Sequence, residues 1–519
     1  MRAWLALLSV IAAPVAAQQL VTSGEPEAVS LTVYRAPDRG DAPIDPNWPQ
    51  GYALITETRT VQIPAGESVI RFEGVAEGMF PESAIVTGLP RGVKEKNRDA
   101  RLLSPSGLVD AYLKRAVTIT RTSRASGQVR EQQAMITAGP DGGVILQTAD
   151  GFEALHCTGL PERMVYPGVP QNLSAKPTLS VVAQSDRAQT ATLTLTYMAA
   201  GFDWQANYVT QVSGEQGAGT GKSKVDVFAW LTLANGGNQS FNNANTMAIA
   251  GEPNREENAD QPRAVGEALN ITCWPQQRTD QVPYNNGYIL EPPYPAPPMV
   301  AYAPANAMDI VVTGTSMKRE MLEMAAPVMV ASQEDLGDLK LYRVPEPVTV
   351  NAKGQKQVAM IVKPGAKFDR LYTASMNIAD GESLPTTVIL RSENKVAKGL
   401  GLPMPSGQVM VFEDSNYGPL LAGESTLRDR AIGEEVELTV GESSDVRYRF
   451  TLVSQQGKKQ SYRLEISNAR AEPVNVEIEI PFELIGRMKD VSKVDGVPTW
   501  KTTIAANGDA TLLFDAKFR

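Results

Sequence analysis

Apolar and polar residues alternate along most of this chain with the period of a β-strand. From Thr192 to Tyr197, Leu193, Leu195 and Tyr197 fall on one side and three threonines on the other. From Val474 to Ile480, Val474, Val476, Ile478 and Ile480 oppose Asn475, Glu477 and Glu479. Successive side chains of a strand point to opposite faces, so such runs predict strands with one face buried and one wet. Comparable runs occur at 30–34, 58–63, 68–72, 116–121, 225–233, 357–362, 386–390, 408–412, 435–440, 462–467 and 511–514. Turn residues separate many of them, among them Pro64-Ala65-Gly66, Ser406-Gly407 and Asn507-Gly508-Asp509. Helical spacing is confined to Leu108, Val109, Tyr112 and Leu113 behind Ser106, and to Glu320–Met324. The expectation is an all-β fold of several antiparallel β-sandwich or barrel-like domains, with few short helices and one long Pro-rich insertion.

The insertion lies between about 253 and 335. It carries Pro283, Pro292, Pro293, Pro295, Pro297, Pro298 and Pro304 interleaved with Tyr284, Tyr288, Tyr294 and Tyr302. Proline at that density removes ladder donors and favours an extended backbone. Around it the strand runs predict an N-terminal β-sandwich over 18–102 and a small barrel-like unit over 103–170. A central β domain is expected in two parts, 171–252 and 336–445, and a C-terminal immunoglobulin-like sandwich over 446–519.

Composition narrows the function classes more than it names one. The 519 residues include 49 Lys and Arg against 58 Asp and Glu, with one histidine and two cysteines. No basic surplus points to nucleic acid, and one histidine with two cysteines leaves no haem, iron–sulfur or His-rich zinc signature. No cofactor or metal is expected. Residues 1–17 read as an export signal: Arg2, an apolar stretch from Ala3 to Val15, and the small residues Val15-Ala16-Ala17 before the cut. No later stretch resembles a membrane-spanning helix. An exported compartment permits disulfides. Cys157 and Cys273 are therefore either a disulfide pair or two unrelated thiols.

Ordered motifs then suggest a family. The segment Tyr197 to Tyr208 has the form Y-x-x-x-G-x-x-W-x-x-x-Y, through Gly201 and Trp204. It is followed by Asn242-Asn243-Ala244, Ala250-Gly251-Glu252, Glu334-Asp335-Leu336-Gly337-Asp338 before Leu341-Tyr342, Asn394 to Gly407, Gly423-Glu424, and Gly441 to Asp445. Over about residues 175–519 the chain resembles domain of unknown function 4139, the mucoidy-inhibitor-A-like proteins of the bacterial envelope. The resemblance implies an exported, mostly β envelope protein and brings no catalytic residues with it. The long coiled coil of some members is missing here.

Catalytic motifs fail one by one. Gly217 to Ser223 approaches a phosphate loop, but Gln216 stands where its first glycine is needed, and a strand, not a helix, follows. Ser392-Glu393-Asn394-Lys395 has S-x-x-K spacing, yet its companion fails because Lys501-Thr502-Thr503 lacks the glycine. His156 and Cys157 are neighbours whose side chains point apart in a strand. Paired carboxylates are not testable from sequence, since a cleft does not show there.

Two binding features remain. Trp204, Tyr208 and Trp230 lie on neighbouring strands; they either line a glycan- or peptide-binding surface or pack in the core. Asp309, Ile310, Val311, Val312, Thr313, Gly314 and Thr315 resemble a short segment near the N-terminus of TonB-dependent receptors. A β-prone heptamer on a proline-rich tether is suited to adding a strand to a partner's sheet. The expected function is an exported, non-catalytic binding or scaffolding protein of the Gram-negative envelope, periplasmic or secreted, with envelope proteins or glycans as partners. The alternatives are a hydrolase of envelope polysaccharide or peptidoglycan using a carboxylate pair, and docking to a TonB-like system through 309–315. The oligomeric state is open.

Overall fold

The computed structural model describes residues 19–517 apart from 38, 41, 100–101, 124, 140–142, 156–162, 171–172, 214–220, 252, 254–328 and 377–379. Strands make up 66% of the protein and helix about 3%, so the fold is all-β. The alternating runs are where the strands are. In Val474–Glu479 the apolar parity is buried and the polar parity is not; in Gln189–Ser213 Leu193, Leu195 and Tyr197 are buried on one parity, Tyr208, Thr210 and Val212 on the other, and residues 199–206 on both. The strand Ser332–Leu336, paired with Leu339–Arg343, overlaps the end of the stretch expected as insertion. Among the described residues no helix is long and apolar enough to cross a membrane.

The chain divides into two compact units. The first comprises Met1–Glu27, Glu57–Tyr197 and Pro262–Thr313; the second comprises Ala28–Thr56, Met198–Gln261 and Gly314–Arg519.

In the first unit, a four-stranded sheet is ordered Gln19–Thr22, Gly66–Glu73, Thr178–Ser185, Val93–Asp99, with only its first pair parallel. A second, antiparallel sheet of five strands covers 116–165. It packs Val117, Ile119, Ala134, Ile136 and Leu146 against Val109 and Tyr112. Val109 belongs to the helix Pro105–Ala111, and Tyr112 is its C-cap. That helix starts where Ser104 accepts from the Gly107 N–H, with proline in the first turn.

The first unit also buries a charge pair. Glu57 and Arg59 are two apart on one strand and so share a face. Arg59 Nη2 donates to Glu57 Oε2 at 2.5 Å, and its Nη1 reaches Ser23 Oγ, the Gly24 carbonyl and the Glu73 carbonyl. Tyr197 donates to Glu57 Oε1 at 2.9 Å and accepts from the Ala76 N–H. Glu57, Arg59 and Tyr197 are all inaccessible to solvent, and the surrounding dipoles offset the cost of removing the ions from water.

The second unit is built around the second half of Gln189–Ser213. Lys222–Asn235 lies between the second half of Gln189–Ser213 and Gly354–Ser375. On the other side of Gln189–Ser213, Gly407–Ser415 runs parallel to it and forms a hairpin with Gly418–Leu427. The C-terminal part is sandwich-like. Glu435–Gln456, Lys459–Asn468 and Asp509–Lys517 pair in order, and Val474–Glu479 pairs with Val497–Ile504. Its centre is aromatic: Phe450 and Tyr462 stack at 4.8 Å, with Phe482 and Phe514 beside Tyr462 at 5.1 and 5.4 Å.

Removing one member of a buried pair strands the other. Glu57→Ala is expected to lower unfolding free energy by about 3–5 kcal/mol. Tyr197→Phe, which leaves the ion pair intact, should cost about 1–3 kcal/mol. Urea denaturation of the full chain measures both, and an equal loss in the two variants would contradict the assignment.

Candidate functional site

The segment Tyr197 to Tyr208 is built as a core fastening. Trp204 is fully buried. Its Nε1 donates to the Ile249 carbonyl at 2.8 Å, the Arg35 guanidinium lies 4.9 Å from the ring centroid, and Tyr342 packs at 5.8 Å. Two of the Arg35 nitrogens, Nε and Nη2, have no hydrogen-bond partner among the described residues; the third, Nη1, holds both oxygens of Asp429. The ring face beside them supplies a cation–π contact instead. Tyr208, 2% exposed, donates to the Pro405 carbonyl at 2.6 Å, and burial pushes its phenol well above the ordinary value. Gly201 has φ +88°, and a Cβ there would lie 2.7 Å from the Trp48 ring. Trp204 and Tyr208 are therefore not surface aromatics, because their parity on the strand faces the core.

Trp230 is on the opposite parity. It is half-buried and opposes Asn207 across the ladder. Register extends this outer face over five strands. One row of cross-strand partners is Trp230, Asn207, Gln408 and Thr426. The next is Val362, Phe228, Val209, Met410 and Glu424. A third is Asp226, Gln211, Phe412 and Leu421. Val362, Met410 and Leu421 are 43%, 41% and 52% exposed, and the Phe228 and Trp230 rings meet edge to face at 4.7 Å.

Side-chain bonds confirm the shared face. Gln357 donates to Thr232 Oγ1 at 3.2 Å, and Thr232 donates to Asn207 Oδ1 at 2.6 Å. Gln205 donates to the same Asn207 oxygen at 3.4 Å, and Gln211 donates to Asp414 at 2.6 Å. Arg39 closes one end of this chain. It donates to Gln205 and, at 2.8 Å, to Asp203, whose carboxyl burial raises despite that contact.

Phe228, Val209, Met410, Phe412 and Leu421 escaped the sequence reading. A signal for the first was present: Val227 to Leu231 is apolar at both parities, so both faces of that strand are apolar.

The acids form a separate arrangement. Arg391 holds Glu437 at 2.6 Å, Glu477 at 2.7 Å and Glu435 at 3.4 Å, while Lys501 holds Glu477 at 2.8 Å. Burial alone would raise the Glu477 carboxyl, but hydrogen bonds from Lys501 and Arg391 outweigh it and hold it below the ordinary value. Glu435 shifts up, through burial and a side-chain hydrogen bond with Glu437.

The other candidates separate or fall elsewhere. Ser392 donates to the Lys367 carbonyl while Lys395 pairs with Glu393, so no serine–lysine dyad forms. Lys222–Asn235 is a strand, as the failed phosphate-loop reading requires. His156, Cys157, Cys273, Glu320–Met324 and Asp309–Thr315 lie outside the described residues. Among the described residues no group of three or more His, Cys, Asp or Glu side chains is placed to hold a metal ion. No family model, no curated protein and no solved structure matches the chain.

A carboxyl held low by its partners stabilises the fold above its unfolded pKa, and that contribution disappears as pH falls through the folded pKa. Glu477→Gln is expected to lower stability at pH 7 by roughly 1–3 kcal/mol, since it removes charge-assisted bonds. The variant should also lose less stability than the parent on acidification to about pH 3. Urea titrations at the two pH values measure the difference; parallel losses would count against the network.

Proposed function

We propose that this chain is an exported, non-catalytic binding or scaffolding protein of a Gram-negative cell envelope, and that the outer sheet face carrying Trp230 is its partner surface. The observation that carries the reading is the half-exposed apolar row Val362, Phe228, Val209 and Met410, flanked by amide and carboxyl side chains. An exposed apolar band with polar flanks on a rigid sheet is suited to recognition. The export-signal pattern at residues 1–17 and the likeness to the mucoidy-inhibitor-A-like proteins support the location. Envelope glycans or proteins are the partners that location offers.

A hydrolase of envelope polymer is the second reading, favoured by the raised Glu435 carboxyl bonded to Glu437. A carboxyl raised by burial, with a second carboxyl two residues along the same strand, is the kind of arrangement from which a general acid and its partner are drawn. Against it, Arg391 grips both members of the pair. Docking through Asp309–Thr315 remains a third proposal, carried by sequence alone.

Co-sedimentation of the exported chain with isolated envelope fragments tests the first reading. Retention is expected, and Met410→Lys should reduce it severalfold while Val453→Lys, on the C-terminal part, leaves it unchanged. Equal retention of all three proteins would remove the face from the function. Release of soluble sugar or peptide from the fragments, abolished by Glu435→Gln, would replace binding with hydrolysis.

A further inference from the structure

We infer that the outer face binds an extended, uncharged β-linked glycan chain lying across the strands, one sugar ring per strand. The inference rests on the binding reading above and specifies its ligand.

Geometry is the first support. Val362, Phe228, Val209 and Met410 are successive cross-strand partners, so the apolar row crosses four strands. Its members repeat at the strand spacing of about 4.8 Å, close to the advance per ring of an extended β-linked chain. A pyranose presents C–H groups on its faces and hydroxyls around its rim. The sheet offers the complement: the apolar row has one neighbouring row with Asn207, Gln408 and Thr426, and another with Asp226 and Gln211. Same-face rows are roughly 7 Å apart, which puts hydrogen-bonding side chains beside the rims of rings seated on the central row. Trp230 and Phe412 supply aromatic surface on either side of that row.

Area selects among occupants. Five strands by three rows cover roughly 500 Å², against about 800 Å² per partner in a stable protein–protein interface. A second copy of the chain or another folded protein is therefore a poor fit, and an oligosaccharide of several rings is a good one.

Charge narrows it further. The three rows carry Asp226 and Glu424 and no cation, so an anionic polymer is disfavoured. Asp226 already accepts from the Gly365 N–H, and nearby Asp414 from Gln211. Those bonds hold the two carboxylates in place as acceptors, which suits hydroxyl donors.

The test uses the full exported chain with chitohexaose and cellohexaose, a hexalysine peptide, and calorimetric titration with each. Binding of at least one hexasaccharide is expected, with at least a tenfold weaker affinity in Trp230→Ala and in Met410→Lys. Met410 is exposed, so its variant keeps the test valid if the tryptophan variant unfolds; melting curves identify that case. Saccharide affinity unchanged in folded Met410→Lys, or no saccharide binding by the parent, overturns the glycan assignment. Hexalysine binding or self-association that Met410→Lys abolishes would also overturn it, while leaving the face as a partner surface. Envelope retention independent of Met410, together with no saccharide binding, would end both readings.

Discussion

The anchoring of Trp204 decides which side of the second unit's sheet is core and which is available. Its ring is closed in by Arg35 and Tyr342, and its single donor is used by the Ile249 carbonyl. A tryptophan buried with its N–H unpaired is costly, so this bond selects one orientation of the strand. Because side chains alternate, a slip of one residue would put Asn207 and Gln211 in the core and Trp204 and Tyr208 in water. Two further fastenings hold the same parity: the Tyr208 hydroxyl on the Pro405 carbonyl, and Gly407, where a Cβ would lie 1.9 Å from the Ala206 carbonyl oxygen. The close parallel pairing of Gly407–Ser415 thus depends on glycine at that position. Once that strand is seated, Met410 and Phe412 must join Val209 and Gln211 on the outer face.

Polar residues do different work in the two units. In the first, Glu57, Arg59 and Tyr197 are satisfied among themselves, by the Ser23 hydroxyl and by backbone groups. In the second, the chain from Arg39 through Gln205, Asn207 and Thr232 to Gln357 is buried at its Asp203 end and emerges on the outer face. That gradient fixes the amides beside the apolar row in one arrangement. Rigid amides lose little freedom when they meet a ligand, which is a condition for useful affinity from a small surface.

Much of the fold was legible in the chain and most of the site was not, for one physical reason. Period-2 alternation reports burial directly, so Leu193, Leu195 and Tyr197 mark a half-buried strand. Alternation does not say which parity faces which neighbour. Trp204 and Trp230 look alike in sequence, and only the ladder Asn207↔Trp230 puts them on opposite sides. Met410 and Phe412 enter the site through a parallel pairing with residues about 200 positions earlier, and no local pattern encodes that. The two-unit division is hidden for a similar reason. Gly51–Ile63 and Gln189–Ser213 are continuous strands whose residues belong to both units, so no linker marks the boundary.

The same reasoning weighs the two chemical readings of the acids and the aromatics. Catalytic carboxyls work as a pair when their environments push their protonation apart and leave both free to meet substrate. Burial raises the Glu435 carboxyl, but Arg391 compromises the second condition. Its guanidinium lies within ion-pair distance of both and of Glu477, whose other oxygen is held by Lys501. These contacts join Asp380–Glu393, Glu435–Gln456, Val474–Glu479 and Val497–Ile504 across the second unit, which is the position of a structural clamp. The outer face has the opposite character: its apolar members are half-exposed or exposed, while Trp204, Tyr208, Ala206 and Val212 fill the core from the other side. A half-exposed apolar row is the stronger mark of a surface kept for something else.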